Sequence, residues 1–274
     1  MIRMTAMLLL AVVVFCGILL AALTSCTPSA PAMRQSRASQ RETLVQVSTI
    51  DALLNRVYDG VVDFETLKQY GDFGIGTFEG LDGEMLGFDG RFFQVKADGI
   101  AYPVAAPVQT PFASITFFDI DSRQQLPESM DYENLQSFLD EMLPTVNIFH
   151  AIKITGTFSF MKTRSVPGQV KPYPALVEVT RNQPTFQFSD VTGTIVGFRC
   201  PDYVSGVNVP GYHLHFLTGD EDAGGHILEF MVKEAVVFID YTSEFLMILP
   251  GEKSDFYRID LSQDRQAEVQ EVEK

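Results

Sequence analysis

The chain has 274 residues, with 20 Lys+Arg against 35 Asp+Glu, three Cys, no Trp and 22 Phe, and 46% of it is apolar. A net charge of −15 repels phosphate backbones and anionic headgroups, which argues against nucleic-acid binding. Three cysteines are too few for a disulfide framework, and the apolar content is enough for a real core rather than a disordered chain. A small anionic substrate stays open, because one site Arg or a metal reverses the local field.

Residues 7–23 form an unbroken apolar run behind Arg3. Its length fits either a membrane span of about 20 residues or the shorter core of a signal peptide. Leu23-Thr24-Ser25-Cys26 resembles the bacterial lipobox, which implies cleavage before Cys26 and a diacylglyceryl group on its sulfur. On that reading residues 1–25 are a lipoprotein-type signal peptide and residues 26–41, rich in Ser, Pro and Ala, are a flexible tether. The protein is then exported, at the membrane surface or in the periplasm, and meets the membrane only through its lipid anchor. The competing reading is an uncleaved N-terminal anchor with an incidental Cys26. Either way the folded domain spans residues 42–274.

Ser48 or Thr49 is placed to cap a helix running to Tyr58, with Leu53, Leu54 and Val57 on one side and Gly60 as its stop. Residues 64–70 predict a second helical turn closed by Gly71. Strand patterning begins at Gly74. Asp89-Gly90 and Asp98-Gly99 separate the apolar runs 84–88, 91–96 and 100–104, which predicts successive hairpins. Residues 112–118 predict another strand. Asp131 caps a helix with Leu135, Phe138, Leu139 and Met142 on one face, ended by Pro144. Segments 148–158, 176–181, 191–200, 207–217, 226–239 and 245–249 predict strands, mostly, and residues 262–274 form a polar, acidic tail. The predicted fold is sheet-rich α+β: two packed mixed or antiparallel β-sheet halves, 42–144 and 145–261, with few helices.

Three of the four histidines lie between residues 213 and 226. On a strand His213 and His215 share one face, and Tyr212, Leu214 and Phe216 take the other. Residues 217–225 have turn chemistry, so a returning strand carries His226 roughly opposite His215, where cross-strand Cβ atoms stand about 4.5–5.5 Å apart. That places a metal site on a β-hairpin of the C-terminal half. Three neutral imidazoles with an open fourth position are what catalytic Zn²⁺ requires, although Fe, Mn, Ni and Cu accept the same donors. Glu221 in the connecting loop reads as a solvated turn charge rather than a ligand. His150, alternating with Ile148 and Ile152, reads as a hydrogen-bonded structural side chain, and Cys200 as a buried thiol near a strand end.

Several ordered motifs resemble one family. They are Leu67-Lys68-x-x-Gly71-Asp72-Phe73-Gly74-Ile75-Gly76-Thr77-Phe78, Leu81-Asp82-Gly83-Glu84-x-x-Gly87-Phe88-Asp89-Gly90, Thr163-Arg164-x-Val166, Gly193-Thr194-Ile195-Val196-Gly197-Phe198, Gly211-Tyr212-His213-Leu214-His215-Phe216 and Gly224-Gly225-His226. Together they resemble the α-acetolactate decarboxylases, from about Val45 to Phe256. The resemblance implies that His213, His215 and His226 hold Zn²⁺, that Glu84 and Arg164 face the metal with Thr77 beside them, and that a Glu from the C-terminal tail joins them. Glu273 is the first candidate for that tail residue and Glu271 the second. It also implies conversion of acetolactate to acetoin and CO₂ through an enediolate, without an organic cofactor, and a homodimer. Taken alone, Glu84 after its Asp82-Gly83 turn and Arg164 beside Lys162 fit surface charges as well as site groups. The three-histidine pattern alone also fits a cupin-like metal dioxygenase, a lipid-anchored non-catalytic metal-binding protein or a carbonic-anhydrase-like hydratase. The cupin reading lacks the usual Glu shortly after the second His, and the hydratase reading needs its third His much further along.

Overall fold

The computed structural model describes residues 41–273; the predicted signal peptide, Cys26 and the tether up to residue 40 lie outside the described residues. One sheet has seven strands, drawn from both predicted halves of the chain. In chain order its strands are β1 (Thr43–Val47), β3 (Phe73–Thr77), β4 (Glu84–Phe88), β5 (Arg91–Val95), β6 (Ala101–Pro103), β8 (Ala113–Thr116) and β14 (Glu244–Ile248). Their spatial order is β14-β1-β8-β3-β4-β5-β6. A short pair, β2 (Val62–Asp63) and β7 (Gln109–Thr110), stands apart from it. The Asp89-Gly90 turn behaves as its chemistry requires: φ is +52° and +74° at the two residues, and Phe88 faces Arg91 across the hairpin.

A second sheet is built around four strands. These are β10 (Phe149–Arg164), β11 (Thr185–Cys200), β12 (Gly211–Thr218) and β13 (Gly224–Thr242), with short β9 (Ser122–Gln125) laid on β13. Because β10 pairs with β13 as well as with β11, the order β10-β11-β12-β13 closes on itself as a ring.

Period-two alternation divides the buried residues of this ring between two cores. Ile152, Ile154, Ile195, Leu214, Phe216 and Val237 share one cluster with Leu135 and Leu139 of the helix α3 (Tyr132–Met142). Their neighbours Ala151, Val196, Phe198 and Leu217 point the other way, onto Phe73, Ile75 and Leu86 of the first sheet. Phe73 meets Phe198 edge-on at 5.7 Å across that junction. His213 and His215 alternate with Leu214 and Phe216, so they face the first sheet too.

The sheet-rich α+β class is the one expected, with corrections inside it. Residues 176–181 were expected as a strand and instead hold helix α4 (Leu176–Thr180), where Leu176, Val179 and Thr180 are buried. A spacing of three and four puts those side chains on one helical face, and this outweighs the strand preference of Val177 and Val179. The acidic tail folds into helix α5 (Gln266–Val272), with Val269 and Val272 buried. The early helices are shorter than expected: α1 (Ile50–Leu54), capped by Thr49 Oγ1 accepting from Ala52 N at 3.0 Å, and α2 (Phe64–Leu67). The strands predicted over 148–158 and 191–200 run on to 164 and begin at 185. Among the described residues, no helix is long and apolar enough to cross a membrane.

Candidate active site

The site lies where the ring's β12–β13 hairpin meets the end of β4. Ladder register brings its members together. His215 faces His226 across the hairpin, His226 faces Arg164 on β10, and Thr77 faces Glu84 across β3 and β4. Two glycines make room for the close approach. A Cβ on Gly224 would sit 2.1 Å from Phe216 O, and one on Gly225, at φ +130°, would sit 2.3 Å from Arg164 O.

The three predicted histidines are brought together and buried, and their ligand nitrogens all lie within 4.8 Å of one another. His213 Nε2 and His215 Nε2 are 3.2 Å apart. His215 Nδ1 lies 2.8 Å from Met85 O. A carbonyl can only accept, so Nδ1 carries the proton and the Nε2 lone pair points into the cluster. Burial, reinforced by the Arg164 charge, holds His213 near a pKa of about 3 and keeps His215 and His226 well below the ordinary range. Three neutral imidazoles whose ring nitrogens converge are a donor set that a cation fits.

The predicted acidic and basic groups surround this cluster. Glu84 Oε1 accepts from Arg164 Nη1 at 2.8 Å, and its Oε2 is 3.7 Å from His215 Nε2. Arg164 Nη2 donates to Val272 O at 2.8 Å, and its Nε is buried without a hydrogen-bond partner. Glu273 reaches the opposite side, with Oε2 3.6 Å from His213 Nε2 and 3.8 Å from His226 Nε2. Burial pushes both carboxyls up to about 7, against the pull of Arg164, and the Glu273 charge raises Glu84 further. Thr77 lines the same cavity, and its Oγ1 donates to Gly83 O at 2.8 Å, bracing the turn that presents Glu84.

The other residues singled out in the sequence lie outside the site. Glu271 points away from the centre and pairs with Arg181 on the surface, at 3.0 and 3.1 Å. Glu221 is a turn charge, held by Arg91. His150 is buried as expected but has no hydrogen bond at either ring nitrogen; it packs edge-on against Tyr241 at 5.6 Å. Cys200 is a buried thiol, pushed up to about 12 by burial.

Sequence reasoning missed the apolar wall. The cavity, with about 460 Å³ of empty space including its mouth, is walled by Ile50 and Leu53 of α1, Phe112, Leu176 of α4 and Val272 of α5. The one local signal was the three-residue spacing of Val269 and Val272 within an otherwise polar tail.

A family model for alpha-acetolactate decarboxylase matches residues 44–263. The chain belongs to the alpha-acetolactate decarboxylase family. It is 52% identical over 233 residues to the alpha-acetolactate decarboxylase of Methanosarcina mazei, covering 85% of this chain and 81% of that one. The Methylococcus capsulatus alpha-acetolactate decarboxylase is 48% identical over 83% of this chain and 87% of its own. The crystal structure of alpha-acetolactate decarboxylase from Bacillus subtilis superimposes with a TM-score of 0.82 at 41% identity, over 84% of this chain and 98% of that one. As a member of this decarboxylase family the protein is a carboxy-lyase. The family match ends before α5, so the helix that delivers Glu273 lies beyond it.

Proposed function

We propose that the protein decarboxylates 2-acetolactate (2-hydroxy-2-methyl-3-oxobutanoate) to acetoin, with Zn²⁺ held by His213, His215 and His226. The observation that carries this reading is the cluster of three buried, neutral imidazoles with a carboxyl on either side, in a chain of this family. Bound there, Zn²⁺ supplies a Lewis acid for the negative charge that develops on the substrate's oxygens.

Departure of CO₂ from a carbon beside a ketone leaves an enediolate, which must be protonated at carbon. Arg164 is always charged and cannot surrender a proton, so its part is to orient the anionic substrate through its guanidinium. Glu84 and Glu273 are the proton carriers. With pKa values near 7, each is part protonated and part ionised at neutral pH, as general acid–base work requires. Arg164 engages Glu84 Oε1, so the Glu84 proton resides on Oε2, the oxygen facing the histidines. The apolar wall takes the substrate's methyl groups and excludes water around the reacting carbon. The lipobox-like sequence supports the further reading that Cys26 carries a lipid anchor and that the enzyme works outside the cytoplasm.

The test is acetoin formation by metal-loaded and chelator-treated protein. His213→Ala should lose bound metal and acetoin production together, by at least about 10³-fold. Full activity of a metal-free preparation would overturn the zinc mechanism. Stoichiometric metal with no acetoin from unmodified protein would favour a non-catalytic metal binder.

A further inference from the structure

Glu273 sits beside the histidines only while α5 lies against the body of the protein. We propose that Arg265, at the start of α5, is the positioning residue that holds it there, through Asn55 at the C-terminal end of α1. The inference rests on the proposed role of Glu273 in proton transfer.

A helix of seven residues has too few turns to persist by itself, so its place is set by what it docks on. Its apolar contact is narrow: Val269 and Val272 join Ile50, Leu53, Leu54 and Leu176 in one cluster. At its C-terminal end the contact comes from the site itself, through Arg164 Nη2 donating to Val272 O. The Arg181–Glu271 pair is 64% and 48% exposed on its two sides and contributes little.

Arg265 is different. Its side chain is 18% exposed, Nη2 donates to Asn55 Oδ1 at 3.0 Å, and Nη1 bridges to Glu268 Oε1 and Oε2 at 3.0 and 3.1 Å. Asn55 is itself fixed, with Nδ2 donating to Asp51 O at 2.8 Å. Asp51 and Arg265 line one crevice. Each has a buried polar atom without a partner, Oδ1 on the acid and Nε on the base. The Arg265 charge acts on the Asp51 carboxyl across the crevice without a direct hydrogen bond, so the direct tie of the tail's first turn to α1 is the Arg265–Asn55 hydrogen bond. Ile50 and Leu53 on α1 are also cavity wall. Arg265 therefore ties the element that carries Glu273 to the element that shapes the substrate space. A displacement of about 1 Å at a proton donor is enough to cost about 10²-fold in turnover.

The experiment is a double-mutant cycle in the full-length, metal-loaded enzyme, using Arg265→Ala, Glu273→Gln and the pair, with metal content and amide exchange of residues 266–273 measured alongside. Glu273→Gln should lower kcat by about 10²-fold. Arg265→Ala should lower kcat by about 10- to 100-fold with KM little changed, metal retained and the tail exchanging faster. In the Glu273→Gln background the same change should cost less than about twofold, because its effect runs through Glu273. Arg265→Lys, which keeps a charge and one donor for Asn55, should recover part of the loss. Should Arg265→Ala not fold, Asn55→Ala removes the acceptor and should reproduce the exchange and kcat effects. Unchanged kcat in Arg265→Ala, or an equal loss in both backgrounds, would overturn the positioning role. A fully active Glu273→Gln would instead overturn the proton-transfer reading, whatever Arg265 does.

Discussion

Glu84 and Arg164 are both nearly solvent-free, and such a pair is costly: the attraction has to offset the loss of hydration of two ions. An apolar pair of the same shape would serve stability as well, so the pair's value is in its charges. Arg164 holds Glu84 partly ionised against a burial that drives it neutral, and it presents a cation to an anionic substrate. Arg164→Ala should therefore retain metal on the three histidines while kcat falls by about 10²–10³-fold. Truncation also leaves Glu84 buried without its countercharge, at a cost of about 3–5 kcal/mol in stability. Metal analysis, kcat and thermal unfolding of one preparation check all three, and an unchanged kcat would remove Arg164 from the chemistry.

Among the elements, the β12–β13 hairpin was readable because its logic is local. His213 and His215 differ by two, the turn chemistry of residues 217–225 returns the chain, and the observed register puts His215 opposite His226. Glu84 and Arg164 come to the histidines through strand pairing and sheet-to-sheet packing, which no short window encodes, and family resemblance rather than pattern pointed to them. Helix α4 was misread because Val177 and Val179 favour strands while burial follows a helical face. Helix α5 was not read because its seven residues, though mostly good helix formers, are too few to persist without the docking that holds them. The hairpin's glycines are a sharper case of non-local demand, since Gly225 is required by a carbonyl on β10. Gly225→Ala should displace β13, misplace His226 and lower metal content and activity together. Gly90→Ala, at φ +74° with nothing within 4 Å of the added Cβ, should cost only about 1 kcal/mol in stability and leave both intact. Equal behaviour of the two variants would contradict the close-approach argument.

For the whole molecule, the relevant quantity is a net charge of −15 around a site built to take an anion. The surface field opposes substrate approach over distances set by the ionic atmosphere, about 30 Å at 0.01 M and about 8 Å at 0.15 M. The local charge of Arg164, with that of the cation proposed for the three histidines, acts at contact range and is screened far less. Raising a non-coordinating salt across that range should therefore increase kcat/KM by about twofold, with kcat nearly constant. A decrease would mean that the site's own positive field extends beyond the acidic shell.

The closed ring of four strands has a consequence for time as well as for shape. β12 is laddered to β11 along its whole length and to β13 from His215 to Leu217, and β13 is laddered to β10 at His226, so His215 and His226 sit on backbone paired on both sides and His213 on backbone paired to β11. A site on a loop or an edge strand comes apart whenever that segment frays, which costs little. Here the three imidazoles separate only when neighbouring strands lose their ladders together. The residence of an ion among them is thereby tied to the opening of the ring, and the lifetime of the ligand cage becomes a property of the fold.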